Sequence, residues 1–123
     1  MNPFNNEAKY ELSVLSGKES GITKIRGGFT IIDRVTGRAK IIIDGDLSHN
    51  LQAIYLRHEV AQLAVIQTEV ENGRPFSACC RSAHQAGMQA GIDEARQLNA
   101  LDEYLTHRGV NSVEELIEVS CRF

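Results

Sequence analysis

"AKIIIDGDLSHNLQAIYLRHEV" spans residues 39–60, and within it the chain changes its period. Residues 39–44 are rich in β-branched side chains, which suit a pleated, half-buried strand. "DGDLSHN" is a polar interruption whose Asp46 or Ser48 can accept a hydrogen bond from the free N–H groups at a helix start. From Leu51 onward the apolar residues no longer alternate. They recur at helical spacing as far as Glu71, where Asn72-Gly73 supplies a left-handed stop. A strand therefore feeds directly into a long helix. The apolar positions Leu51, Ile54, Leu56, Val60, Leu63, Val65 and Ile66 are spread around that helix, so it is central, with the sheet on one side and other helices elsewhere.

Upstream, residues 29–33 and 39–44 read as the arms of a hairpin with Thr36-Gly37 in its turn, and Gly27-Gly28 marks a bulge or bend before it. "KYELSVL" alternates weakly and stops at "SGKESG". Downstream, Pro75 restarts the chain and Ser77 is placed to cap a second helix through about residue 99. Ser112 and Glu115 form a capping box that opens a short last helix. The expected architecture is one α+β domain over residues 1–123, a short antiparallel sheet from the N-terminal half packed on three or four helices from the C-terminal half.

Composition narrows the function classes. With 13 basic and 16 acidic residues interspersed, the net charge of −3 offers no track for phosphates, and no Trp is present to stack on bases. No nucleic-acid partner is expected. No apolar run reaches the roughly 18 residues of a membrane span, and "MNPFNNEAKYEL" lacks the basic and apolar regions of a secretory signal. Three cysteines, two of them adjacent, do not make a disulfide framework. A reducing cytoplasm is the simplest compartment, with Cys79, Cys80 and Cys121 as free thiols.

The chemistry-bearing stretch is "HEVAQ", residues 58–62. At 100° per residue, His58, Gln62 and Glu69 fall within about 40° of one another on the helix wheel, while Glu59 lies toward the side of Tyr55. In zinc hydrolases two ligands four residues apart point at one metal, and the Glu beside the first takes a proton from the metal-bound water. A hairpin, a short loop and then a helix bearing His-Glu resemble a minimal zincin-type metallopeptidase domain over residues 29–71. That resemblance implies His58 as a zinc ligand and Glu59 as general base. Gln62 departs from it, because a second His belongs there and a neutral amide is a poor zinc ligand.

The second helix offers further ligands. Cys80, His84, Gly87, Met88, Gly91 and Ala95 share one side of its wheel, and Gln85, Gln89, Asp93 and Arg96 share the other. The two glycines remove bulk on that flank and admit another backbone, for which the first helix is the natural candidate. If the helices cross there, His58 and His84 converge, with Cys80, Glu69 or Gln62 nearby as a soft, zinc-compatible set. Against this, an inward His more often serves a core than a metal. Asp44 and Asp46 suit a turn better than a cation site, since no carboxylate follows at calcium-loop spacing.

The absence of a complete catalytic set favours a small accessory module that binds another protein on a zincin-like scaffold. A zinc-dependent, peptidase-like hydrolase with Glu59 as base is the alternative. The candidate partner surface is the last helix, through Leu116, Val119 and Phe123, and homodimerisation is a further use of the same surface.

Overall fold

The computed structural model describes residues 9–16, 27–33, 35–36 and 38–120, with the side chains of residues 76–80 and 120 excepted. The elements in chain order are β1 (Glu11–Leu15), β2 (Gly28–Ile32), β3 (Ala39–Asp44), α1 (His49–Glu71), α2 (Phe76–Gln97), α3 (Leu101–Arg108) and α4 (Val113–Ser120). The α+β arrangement is the expected one, with the sheet in the first half and the helices in the second. No helix among the described residues is long and apolar enough to cross a membrane.

The strand order is β1-β3-β2. β2 and β3 form the expected antiparallel hairpin, Phe29 opposite Ile42 and Ile31 opposite Lys40. β1 joins the other edge of β3 in parallel, so the sheet is mixed rather than wholly antiparallel. Between β1 and β3 the chain passes through β2, which runs against both. Alternation in a sequence reports which face a residue takes. It carries no information on chain direction.

Local chemistry explains each junction. In the hairpin turn the Asp33 carboxylate accepts from the backbone N–H groups of Val35 at 2.8 Å and Thr36 at 3.3 Å, an Asx-type turn. Gly37, expected beside Thr36, lies outside the described residues. Gly27 makes the bend before β2. Its φ of +110° is open to glycine, and a Cβ there would stand 2.5 Å from the Tyr55 ring. Ser48 rather than Asp46 caps α1, accepting from Leu51 N at 3.2 Å. The Asp46 N–H is held by Asp44 Oδ1 at 2.9 Å, so both acids of "DGD" belong to the turn. Ser77 is not the cap of α2, because the helix has already begun at Phe76 behind Pro75, whose φ of −66° leads into it. At α4, Ser112 Oγ accepts from Glu115 N at 3.1 Å, and Glu115 reaches back to Asn111 N at 3.0 Å.

The core forms between the helix-facing side of the sheet and the helices. Ile41 and Ile43 of the central strand, Ile54 and Leu63 of α1, Ile92 of α2, Tyr104 of α3 and Leu116 of α4 are its largest fully buried members. Buried residues occur on several sides of α1, as a central helix requires.

Among the described residues the most extensive contact between elements is that of α1 with α2. A Cβ on Gly87 would stand 2.8 Å from the His58 carbonyl oxygen and 3.2 Å from its Nε2, so only hydrogen at this position admits α1 so closely. Gly91, one turn on, sits 3.7 Å from His58 Cβ by the same measure. Gly87→Ala would have to push two helices apart, an overpacking cost of about 1–3 kcal/mol. Thermal unfolding followed by circular dichroism is expected to show a drop in Tm of roughly 4 °C or more.

Candidate functional site

The His-Glu pair of α1 straddles two environments. His58 faces α2, where its ring centroid lies 6.0 Å from that of His84 at an interplanar angle of 78°. Its Nδ1 is buried without a hydrogen-bond partner. Burial pushes the His58 pKa down to about 4. The neighbouring His84 and Arg108 act in the same direction, and the Gln62 hydrogen bond opposes them. The imidazole is neutral at pH 7.

Glu59 faces the sheet instead. Only 8 % of it is exposed, and its Oε2 accepts a hydrogen bond from Thr30 Oγ1 of β2 at 2.8 Å. Burial pushes its pKa up, countered by the Thr30 hydrogen bond. Glu59, Gln62, Leu63 and Ile66 of α1, together with Phe29, Thr30 and Ile32 of β2, line a half-open recess of about 280 Å³. The strand bordering this recess is β2, not the residue 39–43 strand that a zincin-like cleft would use. His58 is not among its lining residues, so the implied ligand does not line the recess that holds the implied base.

The convergence of His58 with His84 follows from the glycine flank of α2. The other candidate ligands do not complete it. Glu69 is turned toward the end of α1, where Arg74 Nε pairs with it at 3.0 Å. The Cys80 side chain lies outside the described residues. Among the described residues no group of three or more His, Cys, Asp or Glu is placed to hold a metal ion.

The partner surface proposed for α4 needs correction at Leu116. That side chain is 1 % exposed, drawn into the core by the capping box that fixes the entry of α4. Val119 remains outside at 40 %, beside Ile117 at 38 %, whereas Phe123 lies outside the described residues.

Two features escaped the sequence reading. The Thr30–Glu59 bond spans the sheet–helix interface, and its only trace is an acid on the same helical stripe as Tyr55, Leu63 and Ile66. The second is a ring cluster. Tyr55 lies edge-on to Tyr104 at 5.6 Å and to His107 at 5.3 Å, and its hydroxyl is hydrogen-bonded with His107 Nδ1. Burial is the main cause that pushes the Tyr55 hydroxyl up to about 12, so it stays protonated.

The chain matches no protein-family model, no curated protein and no solved structure.

The two titrating residues act on stability in opposite directions. Unfolded His58 takes its proton near 6.5 while the folded ring resists it down to about 4. Its contribution is therefore intact above 6.5 and is lost as pH falls toward 4, by on the order of 3 kcal/mol over the full window. Glu59, raised in the folded state, is destabilising when charged and relieves that cost as pH falls. Denaturant unfolding at pH 7 and pH 5 is expected to show a smaller loss in His58→Gln than in the wild type. Glu59→Gln is expected to show a larger one.

Proposed function

We propose that this chain is a non-catalytic module that acts by binding another protein, working in a reducing cytoplasm where its three cysteines are free thiols. The observation that carries this reading is the sheet. Among the described residues it has three strands, and neither outer strand is covered by a further one. Unpaired edges are templates for another chain unless they are blunted. Both edges also carry apolar side chains in the open. Leu12 and Val14 of β1 are 45 % and 48 % exposed, and Ile31 of β2 is 52 % exposed.

The hydrolase alternative receives less support. A zincin mechanism needs a metal ligand and a general base directed at one water molecule. Here His58 packs against α2 and Glu59 hydrogen-bonds to Thr30 of β2.

Quantitative affinity purification tests the proposal, with wild type compared against Val14→Asp and Ile31→Asp, one charge placed on each edge strand. A partner enriched by wild type is expected to fall at least tenfold with one of the two variants, each variant keeping its fold by circular dichroism. Equal recovery with both would count against the sheet edges as the binding surface. Zinc-dependent peptide hydrolysis that disappears in Glu59→Gln would favour the hydrolase instead.

A further inference from the structure

The hairpin register determines which backbone groups of β2 face outward. Asp44 N donates to Gly27 O at 2.8 Å, and Asp33 N donates to Arg38 O at 2.8 Å. These two hydrogen-bonded pairs bracket the ladder, and antiparallel pairs alternate. Phe29 and Ile31 therefore direct their N–H and C=O groups to β3. Gly28, Thr30 and Ile32 direct theirs away from the sheet. Side chains alternate as well, so Thr30 and Ile32 turn inward, over the recess that also holds Glu59.

The recess has its own chemistry. At about 280 Å³ it lies below the range of about 300–1,000 Å³ typical of whole small-molecule sites. It suits one long side chain. Its walls include Ile32, Leu63 and Ile66, and its polar lining residues are Thr30, Glu59 and Gln62. Among the described residues no Lys, Arg or His forms an ion pair with Glu59. A carboxylate so far withdrawn from water, with one hydroxyl for partner, is matched by a cation brought from outside. Lysine and arginine carry such a cation on an aliphatic stem that apolar walls can cover.

We propose that the free edge of β2 receives an extended segment of a partner protein that pairs with the backbone of Gly28, Thr30 and Ile32 and inserts one lysine or arginine into the recess against Glu59. The inference rests on the partner-binding reading above and deepens it, naming the edge, the conformation and the recognised side chain. Backbone pairing supplies affinity without sequence preference, and the recess supplies the specificity.

The test uses the full chain and a set of capped heptapeptides of alternating threonine and valine, differing only at the central position. That position is lysine, arginine, norleucine or glutamate. Binding is read by calorimetry, and its location by amide shifts in 15N-labelled protein. The lysine and arginine members are expected to bind at least tenfold more tightly than norleucine, with glutamate weakest. The amides of Gly28, Thr30 and Ile32 are expected to shift. N-methylating the lysine peptide at the amides that face β2 is expected to abolish binding without any change to the protein. Glu59→Gln is expected to bring lysine down to the norleucine level, and should that variant fail to fold, the wild-type series decides alone. Equal binding of lysine and norleucine at β2 would remove the basic side chain while leaving the partner-binding reading standing. Shifts confined to β1, or no binding by any member at about millimolar concentration, would overturn the proposal.

Discussion

Everything in the helical layer depends on the contact between Gly87 and the backbone of His58. Helices with ordinary side chains at their crossing keep their axes about 8–10 Å apart. A hydrogen in place of a Cβ lets the α2 backbone lie directly against the α1 carbonyl, and at Gly91, one turn further, the space is taken by the Tyr104 hydroxyl of α3. The consequence passes to both flanks of α1. On one, the His58 and His84 rings are brought edge to face, 6.0 Å apart between centroids. On the other, α1 is held against the sheet, so that Tyr55 meets Gly27 and Glu59 meets Thr30.

Glu59 is the residue whose placement least resembles a structural economy. An apolar residue in its position would join Leu63 and Ile66 on the sheet-facing stripe without the cost of withdrawing a carboxylate from water. A hydrogen bond from an uncharged hydroxyl to a charged group contributes about 1.5–3 kcal/mol, which offsets part of that cost. A buried acid beside a half-open recess and an outer strand edge is a local conflict between folding and surface chemistry. Such conflicts concentrate where a protein meets its ligands.

The fold was largely legible because its signals are local. Three isoleucines in a row after an alanine and a lysine, a polar "DGDLSHN", and then helical spacing define the strand-to-helix junction without reference to anything distant. The capping box at Ser112 and Glu115 was equally self-contained. Ser77 misled because proline sets the helix entry two residues earlier, at position 75. The parallel placement of β1 was invisible, since strand direction depends on a crossover that leaves no mark in the alternation. At the site, the approach of His58 to His84 could be read from two glycines four residues apart. The separation of His58 from Glu59 could not be weighed by motif matching, which counts residues along the chain. A helix wheel separates adjacent residues by 100°, and here that angle puts one residue against α2 and the other against β2. Leu116 was misjudged for a related reason: an amphipathic helix shows that it has an apolar face, not whether that face is already used.

One small feature bears on how the sequence can vary. The Gln67 side chain both accepts from Lys9 N and donates to Lys9 O, each at 3.0 Å, so its amide imitates the backbone of a missing strand just ahead of β1. This recognition reads main chain only. Position 9 is free to hold almost any residue except proline, which lacks the N–H. Position 67 has little freedom, since the amide must supply donor and acceptor at once and a carboxylate supplies only acceptors. Descendants of this chain would drift at the visible, charged residue and hold still at the bland one, an inversion of what charge alone suggests about importance.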